Sequence, residues 1–136
     1  MKIRYYEPAD YEQLKALYLD SSLFGGQFDD ARDSEIRLHK KIEADPNSIL
    51  VAEEEGRLIG TVSLIDDGRV AWLFRFAVTN MEVAKLLHDK AIDALKQSGH
   101  SQVLVYSPVS NQKLNSRYDV LGFTKGGDYS CFWKDI

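Results

Sequence analysis

Hydrophobic residues recur at two different spacings along the chain, and these spacings predict its helices and strands. Near the N-terminus, Tyr11, Leu14 and Tyr18 recur at the spacing of one helix face. Residues 34–44 repeat this pattern. The longest helical stripe lies in residues 82–98 and comprises Val83, Leu86, Leu87, Ala91, Ala94 and Leu95. Three amphipathic helices are therefore expected before residue 100.

Segments rich in β-branched and aromatic residues are predicted to form strands. These segments are Ile3–Tyr6, Ser48–Glu53, Arg57–Ile65, Arg69–Val78 and Gln102–Tyr106. Thr124–Gly127 and Tyr129–Trp133 could form the last strands around Gly126-Gly127. Glu55-Gly56 and Asp67-Gly68 separate three consecutive strands and favour tight hairpin turns, which need positive φ. The central strands are therefore expected to pair in antiparallel fashion.

Alternation along Arg69–Val78 predicts which side chains share a face of the sheet. One predicted face carries Val70, Trp72, Phe74, Phe76 and Val78, and the other carries Leu73, Arg75 and Ala77. An antiparallel sheet with helices grouped around it indicates an α+β or mixed α/β fold. At 136 residues, the chain is expected to form one domain.

Composition narrows the function. The net charge of −4 argues against nucleic acid as the main partner, because phosphate contacts need clustered Lys and Arg, whereas an acidic surface suits a cationic amine. Only Cys131 is present, so no internal disulfide is expected and a reducing cytoplasm is the simplest location. The N-terminus turns polar too early for a signal peptide, and no apolar run approaches membrane-spanning length. The three histidines lack metal-ligand spacing, so no metal site is expected.

The most specific pattern lies near the C-terminus, where Asn111, Tyr118, Gly122 and Phe123 follow one another. Asn111 can cap a helix, Gly122 can end it, and Phe123 returns the chain to the core. Tyr118 lies two turns after the cap. These residues and their spacing resemble the end of acyl-CoA N-acyltransferases of the GNAT superfamily, and Ile49–Leu64 resembles the central hairpin of that family.

The resemblance implies both a fold and an activity. The implied fold is a GNAT-like α/β (α+β) domain over residues 1–136, with a mixed, mostly antiparallel sheet that is flanked by helices. The sheet is expected to splay between Arg69–Val78 and Gln102–Tyr106. The implied activity is N-acyl transfer from acetyl-CoA to a small amine or a protein amino group, by a monomer or a homodimer without nucleic acid or membrane partners.

The resemblance also assigns site residues. In that family the tyrosine at the position of Tyr118 lies near the thioester sulfur and protonates the leaving thiolate. Pantetheine is placed along Phe76, Ala77 and Val78, and Asn111 is assigned to the same cofactor site. From the residues alone, Tyr118 could equally be a buried helix tyrosine that anchors the core, and the strand residues could be ordinary members of the sheet ladder.

The acceptor side is less defined by the sequence. Phe24 and Phe28 flank a Gly-Gly pair and could form a substrate lid, or they could pin a surface loop to the core. No general base stands out, and Glu82 and Asp128 are candidates only by elimination. Arg117 replaces an apolar residue of the family pattern, and its charge could be solvated or could contact a phosphate.

One departure from the family pattern concerns the phosphates of CoA. Between the central strand and the long helix, the family usually has a glycine-rich loop that contains arginine or glutamine. The backbone amides of this loop hold the pyrophosphate at the helix N-terminus. Val78–Leu87 contains neither glycine nor arginine, and it is about five residues shorter than the family pattern. Glu82 places a negative charge there. Either CoA binds weakly, or the chain is a GNAT-fold binding module that has lost CoA and binds a protein partner.

Overall fold

The structure is a computed structural model that describes residues 1–20 and 28–136, and a four-stranded antiparallel sheet lies at its centre. The strands occur in the order of the sequence, as β1 (Lys2–Tyr5), β2 (Ile49–Glu54), β3 (Arg57–Asp66) and β4 (Ala71–Val78). Glu55 and Gly56 both adopt positive φ in the turn between β2 and β3, as the sequence predicts for a tight hairpin.

Four helices accompany the sheet and match the predicted helical segments. They are α1 (Tyr11–Leu19), α2 (Glu35–Ala44), α3 (Met81–Gln97) and α4 (Gln112–Val120), with a short 3-10 turn at Pro8–Asp10. Within residues 1–20 and 28–136, none of the helices combines the length and the apolar character that a membrane span requires. The predicted α+β architecture is confirmed.

The strands predicted at the C-terminus are wrong. Thr124–Gly127 and Tyr129–Trp133 have no regular secondary structure, and Gln102–Tyr106 contributes only one parallel bridge, between Leu104 and Trp72. The β-propensity of an isolated aromatic segment does not make it a strand, because a strand exists only where its backbone pairs with a neighbour.

Helices cover both faces of the sheet. On one face, α3 packs its apolar stripe against β2, β3 and β4, and Val83, Leu87 and Ala91 are completely or almost completely buried there. On the other face, α1 and α2 form a second core around Leu14, which is completely buried. The sheet therefore separates two cores, and among the described residues the C-terminal segments pack against the first of them.

A β-bulge interrupts β4. Thr61 of β3 pairs with Ala77, but Ser63 pairs with Phe74, so two residues of β4 oppose the single residue between them. Arg75 lies in this bulge with a φ of 51°, in the left-handed region. The predicted alternation was wrong beyond this point, because the extra residue turns Phe76 to the α3 face, together with Leu73 and Val78, while Ala77 lies on the α1 face.

A buried ion pair holds the bulge. The Arg75 guanidinium donates to both carboxylate oxygens of Asp33, from Nε to Oδ1 at 3.0 Å and from Nη2 to Oδ2 at 2.8 Å. The side chains are only 10% and 3% exposed. The guanidinium also stacks over the Phe74 ring, 4.7 Å from its centroid. The pair ties the segment before α2 to β4, and sequence reasoning assigned no role to either residue.

Helix α3 approaches the sheet most closely at Gly60 of β3. A Cβ atom at this position would lie 2.5 Å from Cγ1 of Val83 and 3.0 Å from Cδ1 of Leu87. Only a residue without a side chain lets the helix backbone settle at this distance. Because only two residues separate the end of β4 from the start of α3, this contact also fixes the position of the end of β4.

The substitution Gly60→Ala is expected to destabilise the fold by about 1–3 kcal/mol, because the new methyl group overpacks the α3 interface. Urea unfolding followed by circular dichroism measures the difference. Gly126→Ala is the matched control, since nothing lies within 4 Å of its Cβ position and its φ is not positive. Equal unfolding midpoints for the two variants would contradict the close packing at Gly60.

The substitution Asp33→Asn is expected to cost about 3–5 kcal/mol of unfolding free energy, because it removes the carboxylate charge while Arg75 remains buried. Asp67→Asn is the control, since Asp67 pairs with Arg69, whose side chain is 85% exposed, and should change stability little. The same denaturation assay applies. A stability loss no larger than that of the control would show that the buried pair does not fix the bulge.

Candidate active site

Caps at both ends set where helix α4 begins and ends. At the start, Asn111 Oδ1 accepts a hydrogen bond from the Leu114 backbone N–H at 3.0 Å. At the end, Gly122 adopts a φ of 86°, and the Phe123 N–H donates to the Tyr118 carbonyl at 3.0 Å. The Gly122 N–H donates to the Asp119 carbonyl, which completes a Schellman motif. These caps account for Asn111, Gly122 and Phe123 in the sequence pattern.

Tyr118 lies within this last turn, against the core that α3 forms with the sheet. Its ring meets the Phe123 ring edge-on, with the centroids 5.4 Å apart, and Phe123 also contacts His88 of α3. Burial raises the pKa of the Tyr118 hydroxyl above its ordinary value. The hydroxyl therefore remains protonated at neutral pH and is available as a proton donor.

The edge of β4 opens toward α4. The Leu73 N–H donates to the Leu104 carbonyl, and the Leu104 N–H donates to the Ala71 carbonyl, each at 3.0 Å. Beyond Leu73, the described part of the chain contains no further backbone hydrogen bond between β4 and the segment around Leu104. The two segments therefore diverge, as the predicted splay requires.

We call the α4-facing edge of β4 beyond Leu73, where this pairing stops, the wedge. The Thr79 N–H donates to the Ile59 carbonyl of β3, at 3.1 Å. Because backbone groups alternate along a strand, those of Val78 face the opposite edge, toward the wedge, and the Phe76 carbonyl meets Arg117 of α4 on that side. Phe76, Ala77 and Val78 are at most 3% exposed with their backbone atoms included, so the end of β4 is almost completely covered in this structure.

Arg117 crosses from α4 to this edge. Its Nη1 donates to the Phe76 carbonyl oxygen at 3.3 Å, and burial lowers the pKa of the guanidinium. The expectation for Arg117 was a solvated charge or a phosphate contact, and the structure instead shows a hydrogen bond to a backbone carbonyl. Tyr118 follows Arg117 in α4, so the wedge and the tyrosine belong to one region of the molecule.

The other residues assigned to the site lie in different surroundings. The Asn111 side-chain oxygen is engaged as the cap of α4. Phe28 is half-buried against the α1–α2 core, and Lys15 Nζ lies 5.2 Å from its ring centroid. Phe24 lies outside the described residues. A role of Phe28 in a lid stays a prediction.

The connection from β4 to α3 consists of Thr79 and Asn80 alone. Asn80 Oδ1 caps α3 by accepting a hydrogen bond from the Val83 N–H at 3.0 Å. Glu82 is exposed in the first turn of this helix, and Asp128 is exposed in the irregular C-terminal segment. Neither carboxylate has a hydrogen bond to Tyr118 within the described part of the chain.

The Arg75–Asp33 pair lies directly beside the wedge but on the α1 face of β4, since it precedes Phe76 in the bulge. Tyr18 is completely buried in the α1–α2 core. The guanidinium carbon of Arg75 lies 5.9 Å from the centroid of the Tyr18 ring, which is close enough for a cation–π contact. The signal that could have found this pair is the single charge inside an otherwise apolar strand.

Solved structures of similar fold include three N-acetyltransferases. Aminoglycoside 6'-N-acetyltransferase AAC(6')-IG from Acinetobacter haemolyticus shares 20% identity, with a TM-score of 0.74 and coverage of 100% of this chain and 99% of that one. PaiA N-acetyltransferase from Thermoplasma acidophilum, in complex with coenzyme A, shares 22% identity, with a TM-score of 0.76 and coverage of 90% and 89%. Ribosomal-protein-alanine N-acetyltransferase from Brucella melitensis shares 19%, with a TM-score of 0.72 and coverage of 93% and 86%.

These identities establish likeness of fold. No curated protein sequence matches the chain significantly. A family model matches residues 11–123, which include all four helices, three of the four strands and the whole of the Asn111–Phe123 pattern. The chain belongs to the acetyltransferase (GNAT) family.

Proposed function

We propose that the protein transfers an acyl group from acyl-CoA to a primary amine of a small molecule or a protein. The acyl group that we expect is acetyl. The observation that carries the proposal is Tyr118, a buried and protonated tyrosine next to Arg117 on α4, the helix that Arg117 links to the Phe76 carbonyl of β4. Membership of the acetyltransferase family supports it.

The reaction needs three events. The lone pair of the amine attacks the thioester carbonyl, so that a C–N bond forms while the C–S bond breaks. The proton of the attacking amine is lost to water, or to a carboxylate such as Glu82. Tyr118 donates its proton to the departing thiolate and recovers one from solvent. The backbone N–H of Val78, on the wedge side of β4, is the group we assign to stabilise the oxyanion.

The fit of CoA to the described residues differs between its two ends. The wedge carries the backbone polar groups of Val78 and the Phe76 carbonyl, which Arg117 contacts, and groups of this kind suit the amides of a pantetheine arm. The phosphate end is less well provided for, since the connection to α3 carries no cationic side chain and Glu82 adds a negative charge. When bound, acyl-CoA would supply the activated thioester, and the chain would supply its orientation and the proton for the thiolate.

Acetyl-CoA is expected to bind weakly, with a dissociation constant in the micromolar range or above. Each lost charge-assisted phosphate contact costs about 1.5–3 kcal/mol, so the loss of two weakens binding by about a hundredfold or more. Isothermal titration calorimetry measures the constant. A sub-micromolar value would contradict the argument and would show that other residues hold the phosphates.

The substitution Tyr118→Phe is expected to reduce turnover by about 10²–10⁴-fold and to leave acetyl-CoA affinity unchanged, because the hydroxyl acts only as the thiolate leaves. Thiol release is measured with an amine panel that includes an aminoglycoside and a peptide beginning with alanine, after the relatives' acceptors. Tyr106→Phe is the control, since Tyr106 is 75% exposed. Undiminished turnover in Tyr118→Phe would remove the role assigned to its hydroxyl.

The second candidate is a binding module that has lost CoA. The observation in its favour is the hydrogen bond from Arg117 to the Phe76 carbonyl, which occupies part of the edge that pantetheine would use. In such a module, Tyr118→Phe would leave partner affinity intact because the ring and its contact with Phe123 remain. Absence of both a calorimetric signal with acetyl-CoA and turnover on any amine would favour this candidate over the enzyme.

A further inference from the structure

The end of β4 is closed in this structure, although it is the edge to which the family resemblance assigns the acyl donor. Phe76, Ala77 and Val78 are at most 3% exposed. Helix α4 contacts this edge through Arg117, and its Tyr118 packs on the α3 core. A donor that pairs with the backbone of β4 therefore has to displace a group that is already there.

Arg117 makes the contact that such a donor has to replace. Its Nη1 donates to the Phe76 carbonyl oxygen at 3.3 Å and so ties α4 to β4. Because Phe76 is only 3% exposed, its carbonyl has no room for a second donor. The pantetheine arm of an acyl donor carries amide N–H groups, which need acceptors of this kind. The guanidinium and the arm therefore compete for one carbonyl.

The hydrogen bond of Arg117 is weak enough to be displaced. Its length of 3.3 Å exceeds the usual N–H···O distance of about 2.9–3.0 Å. Burial also lowers the pKa of the guanidinium, since the charged form loses hydration at this place. The lost hydration offsets part of what the bond contributes. The closed arrangement is therefore favoured by a small margin, and a fraction of the molecules is open at any time.

Arg117 can leave the edge while its helix stays formed. The hydrogen bonds that cap α4 come from Asn111 at the start and from Gly122 and Phe123 at the end, and none of them involves the guanidinium. A released guanidinium regains water. An amide of the ligand then donates to the Phe76 carbonyl, so that no buried polar group is left without a partner.

We propose that Arg117 is a gate: it closes the Phe76 carbonyl in the free protein, and it moves aside when the pantetheine arm of the donor pairs with β4. The gate selects ligands that offer a hydrogen-bond donor to this carbonyl, because any other ligand leaves the carbonyl unpaired. The proposal rests on the proposed function, since it concerns the donor site of that reaction. It adds a second cause of weak binding, because only the open fraction of molecules can bind.

Removal of the gate is expected to tighten donor binding. Arg117→Met keeps an unbranched side chain and loses the guanidinium. Its affinity for pantetheine should rise about three- to tenfold, because all molecules are then open. Lys113→Met is the matched control, since Lys113 is exposed on the same helix and its loss removes the same charge. Titration followed by NMR chemical shifts measures these weak affinities, and the control should match the wild type.

A parallel titration with CoA separates the gate from a phosphate ligand. Pantetheine and CoA share the arm and differ in the phosphates. A gate tightens both ligands by the same factor, once the effect of the lost charge is corrected with Lys113→Met. If Arg117 instead held a phosphate, Arg117→Met would weaken CoA and leave pantetheine unchanged. That result would overturn the proposal, as would unchanged or weaker binding of both ligands, or no binding of either ligand to Arg117→Met at millimolar concentration.

Hydrogen exchange gives a readout without a ligand. If the bond holds α4 against β4, the amides of α4 should exchange about three- to tenfold faster in Arg117→Met than in Lys113→Met. Circular dichroism should show the same helix content in both variants. Arg117→Ala also lacks the donor and should behave as Arg117→Met does. Equal exchange in all three variants would contradict the tie between α4 and β4.

Turnover distinguishes failure of the gate from failure of the proposed function. Tighter pantetheine binding by Arg117→Met, without turnover of acetyl-CoA on any amine, would support the gate and reject the acyltransferase. Wild-type turnover together with unchanged ligand affinity in Arg117→Met would reject the gate and keep the acyltransferase.

Discussion

The extra residue in β4 is the constraint on which the candidate site depends. Without the bulge, strict alternation would turn Phe76 to the α1 face, and a different set of backbone groups would face α4. The positive φ of Arg75 is a strained conformation for a residue with a side chain, and the buried contact with Asp33 holds it in place. The ion pair thus selects which carbonyls and amides meet the wedge, from the opposite side of the sheet.

Local interactions within residues 111–123 shape helix α4, which contacts the wedge edge of β4 through Arg117. Its two caps set where the helix begins and ends, and the contact between Tyr118 and Phe123 is the apolar contact that accompanies a Schellman motif. The interval between Asn, Tyr, Gly and Phe therefore reports the geometry of a capped helix. What this geometry does not require is the hydroxyl of Tyr118, because a phenylalanine would make the same ring contact.

Much of the fold could be predicted from the sequence, since the information needed is local. Helical stripes, capping residues and turn glycines each act over a few residues, and α3 and the β2–β3 hairpin appear where these signals place them. The bulge could not be predicted, because its cause is the contact of Arg75 with Asp33, 42 residues earlier. The prediction of strands at Thr124–Gly127 and Tyr129–Trp133 was wrong for a related reason, since the pairing of a strand depends on a neighbouring strand and not on the segment itself. For the site, the assignment of Phe76, Ala77 and Val78 to the cofactor came from the family resemblance and stays a prediction. The contact between Arg117 and the Phe76 carbonyl could not be predicted, because it depends on how α4 docks.

The single bridge at Leu104 has a consequence for how the molecule opens. Among the described residues, two backbone hydrogen bonds join residues 99–136 to the sheet, whereas each strand is joined to its neighbour by a ladder of four to six residue pairs. Local stability follows the density of such contacts, so residues 99–136 form the region that separates first in partial unfolding. Amide protons of α4 should therefore exchange with solvent through openings that leave the sheet closed. Tyr118 thus lies in the part of the fold that fewest backbone hydrogen bonds hold to the sheet. Its distance from β4 depends on side-chain packing against α3 and on the hydrogen bond from Arg117 to the Phe76 carbonyl.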